Sequence, residues 1–554
     1  MKKIFLMAAA ASLVLTGCMQ EFDPQTSYVS GDQASNAPGA YDNFVNAITS
    51  SLAGTFTYGG NDNLYAFDFG YPSFYLERDL MGQDMIIGDL GWFGAWYACD
   101  GLGNSAYSQL PLTYYPKWIK NCNTLLDMVG DEPDESKFTG AGIAHAMRAM
   151  FYMDLARMYA PKTYAADPEA PTYPKVTEKT TIEQAQNNPR LTNTEMWAFI
   201  LEDLDKAEKY LADYVRPDKY TPDLSVVYGL KARAYLTMEN WEEAEKYAKL
   251  AQQGYTMLTE AQYLDRDNGF NSPNASWMMG LTYRPTDPNI ILNDGDSSWA
   301  SFMCLEATAS GMGYASDYGA PMSIDRHLYE TIPATDFRKM CFIDFAIDEP
   351  FSGGDDAMNE TLEALSAYSD YPESLYVTGS TVGYVGGLSV KFRLAGGAEG
   401  RSNQYVGFTV AVPMMRVEEM YLIEAEAAGM QEEGRGIELL TAFAKQRDPN
   451  YTYGKHNEAY GNTSTSAFQN ECWWQRRVEF WGEGLATFDI KRLQKGIIRS
   501  YANTNHHETN RWNLDTTPVW MTLYFITTES AYNNALVNNE LPIAPEGDSP
   551  EYVW

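Results

Sequence analysis

Residues 224–254 read LSVVYGLKARAYLTMENWEEAEKYAKLAQQG, and the spacing of their apolar side chains decides the fold. Val227, Leu230 and Ala234, with Tyr235 beside the last, fall on one side of a helix. Met238-Glu239-Asn240 is a tight turn, after which Trp241, Ala244, Tyr247, Ala248 and Ala251 form a second helical stripe. Small residues at Gly229, Ala234, Ala244 and Ala248 let the paired helices approach closely. One hairpin of this kind cannot bury its own apolar face, so several must stack.

The unit resembles a tetratricopeptide repeat, and degenerate copies are expected in the helices around it. Residues 141–160 predict a helix with Ile143, Met147, Met150, Phe151, Leu155 and Met158 on one face, ended by Pro161. A second helix is expected after a Thr194 cap, with Trp197, Ile200, Leu201, Leu204, Ala207 and Leu211 as its stripe. Further helices are expected over 415–430, 434–447 and 469–496. Between 262 and 411 the periodicity fades, while Gly, Pro, Asn, Asp and aromatics accumulate. The expected architecture is therefore mainly α, a scaffold of helical hairpins over 41–261 and 412–554 with a loop-rich, partly β insertion over 262–411. The end, Leu541-Pro542-Ile543-Ala544-Pro545, reads as extended.

The first residues, MKKIFLMAAAASLVLTGC, combine Lys2 and Lys3, an apolar run over 4–15, and Leu15-Thr16-Gly17-Cys18. The run is too short to span a bilayer, so 1–17 reads as an export signal. The cysteine after Gly17 matches a bacterial lipoprotein signal, in which Cys18 carries acyl chains such as palmitate. Each buried CH₂ would contribute ~0.8 kcal/mol to a membrane tether. Residues 18–40 are polar and proline-set, a spacer that at ~3.3 Å per residue reaches roughly 70 Å. Localisation at an outer membrane, held by lipid, is the expectation.

Composition removes several function classes. There are 74 acidic and 40 basic residues, a formal charge of −34, with no basic stripe to offset it. Such a chain repels phosphate backbones, so no nucleic-acid partner is expected. Cys18, Cys99, Cys122, Cys304, Cys341 and Cys472 have no CxxC spacing and read, Cys18 apart, as buried free thiols. No metal or cofactor site is expected: His506-His507-Glu508 is the only paired histidine and HExxH is absent. Asp265-Arg266-Asp267-Asn268-Gly269 and Asn293-Asp294-Gly295-Asp296 offer calcium-type oxygens without EF-hand spacing, and turn chemistry accounts for them better.

The most enzyme-like constellation is Arg476, Glu479 and Glu483 on one helix face, with Glu418, Glu424 and Glu426 on another. It reads either as a paired-carboxylate glycosidase site or as an ion-pair lattice joining helices. The spacing favours the lattice, and no enzymatic activity is expected.

Aromatic residues make up 14% of the chain, with 39 Tyr, 24 Phe and 13 Trp. Residues 89–107, DLGWFGAWYACDGLGNSAY, set Trp92, Trp96 and Tyr97 among glycines, followed by Asp100 and Asn104. Trp277, Tyr283, Arg284, Trp299, Tyr314 and Tyr318 extend the set. Sugar rings offer flat C–H faces to aromatic rings, and their hydroxyls need planar hydrogen-bond partners. These eleven residues are the candidate carbohydrate cradle, though many of the chain's aromatics must instead fill the core.

Four segments together resemble the SusD/RagB family: AMRAMFYMDLARMY (146–159), the hairpin from Leu230 to Ala251, MRVEEMYLIEAEA (415–427), and RRVEFWGEG (476–484) running into FDIKR (488–492). The terminal LPIAPE fits too, whereas Leu485-Ala486 stands where the family usually offers an arginine. The resemblance implies a cell-surface lipoprotein that captures oligosaccharides or polysaccharides without altering them. It also implies a partner, a SusC-like TonB-dependent transporter that receives the ligand. Glu21 and Asp23 are a sparse version of the family's surface-export cue. Capture of peptides or another non-sugar nutrient on the same scaffold is the alternative, and a surface glycosidase the third.

Overall fold

The computed structural model describes residues 39–53, 66–291, 298–307, 312–347 and 354–554. Cys18, the signal, the spacer up to residue 38, Glu21, Asp23 and the 293–296 segment lie outside the described residues.

The frame is a run of helices in which each packs on the next. Helices α1 (Ala40–Ser50) and α2 (Ala106–Val129) lie against α3 (Phe138–Tyr159). Then α4 (Asn193–Tyr210) packs on α3, α5 (Leu224–Thr237) on α4, and α6 (Trp241–Ala251) on α5. The chain leaves the stack there and returns as α7 (Val417–Gln431), which packs directly on α6. Helices α8 (Glu433–Ala444) and α9 (Ala467–Glu479) then pack on α7. The scaffold is thus a mainly α stack of repeat-like hairpins.

Local chemistry explains these elements. Asp223 caps α5 by accepting from the Val226 N–H, and Asn240 caps α6 through the Glu243 N–H. Between them Glu239 takes a left-handed φ of 57°, which makes the turn tight. Gly229 serves a different neighbour from the one expected: a Cβ there would lie 2.3 Å from Met415 Sδ, so it admits the strand before α7. Arg233 on α5 pairs with Glu419 on α7 at 2.6 Å, both buried, and ties the two halves of the stack together.

Three expectations are corrected. The α4 cap is Thr192, not Thr194, in a reciprocal capping box with Glu195. Helix α2, which was not among the expected helices, contains Pro111 and Pro116. Burial of its Leu110, Tyr114, Tyr115, Trp118 and Leu125 outweighs the two missing N–H donors. The helix expected over 469–496 ends at Glu479, because Gly482 and Gly484 adopt φ of 78° and 74°; a separate helix follows at Ala486–Arg492.

The excursion between α6 and α7 is closed at its base by an antiparallel pair, Trp277–Thr282 with Ala411–Arg416. A second antiparallel pair, Met85–Ile87 with Met322–Ile324, fastens the excursion to the N-terminal part of the chain. Cys99, Cys122, Cys304, Cys341 and Cys472 are buried and unpaired. Among the described residues no helix is long and apolar enough to cross a membrane.

Candidate functional site

The carboxylates that resemble catalytic groups are bound into a buried ion lattice. Glu479 receives Arg416 Nη1 at 3.0 Å, Arg447 Nε at 3.0 Å and Arg338 Nη1 at 3.3 Å. Glu483 receives Lys391 at 2.7 Å and Arg416 Nε at 2.9 Å, and Glu418 pairs with Arg416 and Arg447. Asp336 completes the set through Arg338 at 2.6 Å. Arg338, Arg416, Arg447 and Lys391 thus balance Asp336, Glu418, Glu479 and Glu483. Burial pushes the Glu479 carboxyl up, but the three guanidiniums outweigh it and hold the group below the usual carboxylate range. A general acid needs the opposite shift. Arg476 pairs with Asp489 rather than Glu479, Arg492 holds Glu426, and Glu424 accepts from Gln252. Of the two readings, the lattice is the one the geometry carries.

The polar motifs are also structural. His506 contacts the Tyr97 hydroxyl at 2.8 Å and the Gln83 carbonyl at 3.1 Å, and His507 the Ile87 carbonyl at 2.7 Å. Asp265 accepts the N–H groups of Asp267 and Asn268, an Asx turn.

The eleven cradle candidates divide sharply. Trp96, Tyr97, Trp277, Tyr283 and Trp299 are core residues, none more than 2% exposed, and as placed have no face for a ligand. Trp96 packs on Phe67, Phe93 and Tyr107, and Trp299 on Tyr75 and Phe392. The Tyr97 hydroxyl is held by His506, and that of Tyr283 donates to the Phe69 carbonyl at 2.6 Å. Trp277 sits in the strand pair at the base of the excursion. The reason is size: a large ring beside a glycine-rich turn stabilises most by leaving water, and the glycines let the chain fold over it. Asn104 is exposed, but its carbonyl accepts the N–H and hydroxyl of Thr527 and so ties down the C-terminal segment. Asp100, also exposed, accepts from Gly101 N–H in a local turn. Arg284 is exposed at the end of the Tyr283 strand.

Of the remaining candidates, Tyr314 and Tyr318 stack on each other, and Trp92 follows the glycine that touches Tyr314. A stair of rings climbs from the core: Phe93 to Phe302 at 5.0 Å, Phe302 to Tyr314 at 4.8 Å, and Tyr314 to Tyr318 at 4.8 Å with planes 24° apart. Phe93 is fully buried, Tyr314 is 8% exposed, and Tyr318 is 54% exposed. The top ring is therefore fixed from below and open above. Gly91 abuts this stair, since a Cβ there would lie 2.8 Å from the Tyr314 hydroxyl. Trp92 is the next residue, half-buried, with its ring edge-on to Phe67 at 6.1 Å. Two segments more than 200 residues apart thus meet where Gly91, the neighbour of Trp92, packs on Tyr314. Phe302, which supports the stair, carried no signal in the sequence; a lone phenylalanine in a short helix is indistinguishable from ordinary core.

This arrangement can stack flat apolar faces and offer hydroxyl and indole hydrogen bonds at their rims. Comparison with known proteins now adds to the geometry. Residues 81–236 match the family profile described as "Starch-binding associating with outer membrane", and residues 353–543 that of the "SusD family". No curated protein matches the sequence. Among solved structures, a SusD-like carbohydrate binding protein from Bacteroides vulgatus superposes with a TM-score of 0.68 at 22% identity, over 90% of this chain and 97% of that one. A SusD superfamily protein from Bacteroides thetaiotaomicron does so with a TM-score of 0.64 at 17% identity, over 92% and 100%. A laminarin binding SusD-like protein gives 0.58 at 15% identity, over 91% and 99%. At these identities the superpositions establish the shared fold, and the two sequence profiles cover both helical portions of it. The chain belongs to the SusD/RagB family.

Proposed function

We propose that this chain is a non-catalytic, lipid-anchored outer-membrane protein that captures oligosaccharides at the Trp92–Tyr318 patch and delivers them to a SusC-like TonB-dependent transporter. The observation that carries the reading is Tyr318, an aromatic ring 54% exposed and held in orientation by a stack rooted in the core. A mobile surface tyrosine would lose rotamer entropy on binding; this one is already ordered. Names of similar structures, a carbohydrate binding protein and a laminarin binding one, and the starch-binding family description support the ligand class. The lipoprotein-type signal ending at Cys18 supports the anchor.

A saccharide lying on Tyr318 covers about half of the ring's open area, ~50 Å², worth ~1.3 kcal/mol at ~25 cal/mol/Å². With Trp92 and a few hydroxyl contacts, a total of ~4–6 kcal/mol follows, in the high micromolar to millimolar range. Weak capture suits release into a transporter, and polymer avidity compensates outside the cell. The test is a glycan array followed by calorimetry with the chain from Met19 onward, which keeps every described residue. Tyr318→Ala is expected to weaken the best ligand about tenfold and Trp92→Ala by at least as much. Absence of any glycan ligand overturns the function; full affinity in both variants overturns the site.

A further inference from the structure

A largely apolar concavity lies between α2, the strand Pro171–Pro174 and the C-terminal helix Thr527–Tyr532, with a volume of about 700 Å³. Its walls include Ile119, Tyr173 and Phe525, all buried. Ile182 and Tyr532 also line it and stand 80% and 78% exposed, unusual for side chains of their size.

Most of the polar groups in the lining are already satisfied by the protein. The Tyr152 hydroxyl donates to the Val176 carbonyl and accepts from the Val176 N–H. Asn123 bridges Arg148 and the Val176 carbonyl, and Glu178 is paired with Arg148 at 2.6 Å. The Asn533 side chain accepts the Asn188 N–H and donates to the Asn188 carbonyl, closing one end of the groove. Besides the exposed Lys120, Asp127 and Gln186, two groups are left over. The Glu529 carboxylate, half-buried in the lining, has no ion pair or hydrogen bond among the described residues, and neither does the Tyr173 hydroxyl. Burial pushes the Glu529 carboxyl up, as expected for a carboxylate facing apolar walls without a cation.

This chemistry selects its occupant. A sugar carries a hydroxyl on nearly every carbon and would leave most of them unpaired against these walls. An anion would meet Glu529 and Asp127, with the exposed Lys120 the one lining cation to set against them, whereas one N–H or O–H donor would meet an acceptor that lacks a partner. We propose that the groove is a second ligand site, for an uncharged or cationic aromatic compound whose ring lies among Tyr173, Phe525 and Tyr532 and whose single amine or hydroxyl donor is accepted by Glu529.

The site stands apart from the glycan patch and does not depend on it. The test is a fluorescence titration of the chain from Met19 onward with N-phenylnaphthylamine, two apolar ring systems joined through one N–H. Saturable binding at one equivalent is expected, and its anionic congener anilinonaphthalene sulfonate is expected to bind at least about tenfold more weakly. Glu529→Gln should bring the two probes within about threefold of each other. Ile182→Ser and Tyr532→Ala, at positions too exposed to affect folding, should each weaken the neutral probe about five- to tenfold. Equal affinity for both probes, unsaturable binding, or indifference to the Ile182 and Tyr532 changes overturns the proposal. So does a dimer in sedimentation that Ile182→Ser dissolves, since the groove would then belong to a second copy of the chain.

Discussion

Glu479→Gln separates a scaffold from a catalyst. The substitution keeps the side chain's shape and removes one of four negative charges from a lattice in which Arg338, Arg416 and Arg447 all converge on that carboxylate. All four side chains are no more than 1% exposed, so water cannot replace the lost charge. Removing one partner of such a buried set costs ~3–5 kcal/mol, because the uncompensated cation stays buried. At ~2.1 cal/mol/K per residue, a body of roughly 500 residues unfolds with ~1 kcal/mol/K, so the expected fall in melting temperature is ~3–5 °C. Scanning calorimetry of parent and variant at neutral pH reads it directly. The companion Arg338→Gln, added to Glu479→Gln, returns the lattice to three charges of each sign, and the double variant should recover ~1–3 kcal/mol of the summed loss. Glycan affinity should be unchanged throughout. A Glu479→Gln protein that melts with the parent refutes the lattice energetics. One that melts normally but loses a polysaccharide-cleaving activity refutes the non-catalytic reading outright.

Three further outcomes follow from the same coordinates. Burial pushes the Glu77 carboxyl up to about 8, with one oxygen lacking a partner among the described residues; a raised carboxyl binds its proton more tightly when folded, so stability falls as pH rises through roughly 4.5–8, by up to about 5 kcal/mol, and Glu77→Gln should flatten that slope in denaturant titrations. Trp96→Ala should destabilise the fold by ~3–5 kcal/mol in urea unfolding, as a core cavity does, and an effect confined to ligand binding would return Trp96 to the site. Asn104→Ala frees the Thr527 N–H and hydroxyl, and should cost ~1 kcal/mol while speeding hydrogen exchange around residues 527–532.

How much was legible in the sequence differs between frame and site. The α5–α6 hairpin was readable because helical periodicity, an asparagine cap and a tight turn are all local, and each is encoded within a few residues of where it acts. The buried lattice was half readable: the run of Arg and Glu indicated ion pairing, but the partners Arg338, Lys391 and Arg447 come from other parts of the chain. Helix α2 was hidden because its prolines argue locally against it, and only burial against α3 overrides them.

By itself, then, the sequence determined a stack of helical hairpins interrupted by a loop-rich excursion, in a chain rich in aromatic and acidic residues. It could not sort the aromatics, because a tryptophan bound for the core and one bound for a ligand share the same hydrophobicity and the same glycine-rich neighbours. Tertiary packing made that choice. It closed the core over Trp96, Trp277 and Trp299, and it left Tyr318 exposed on top of the stair of Phe302 and Tyr314. Which ring faces water depends on what packs beneath it, and that support arrives from more than 200 residues away.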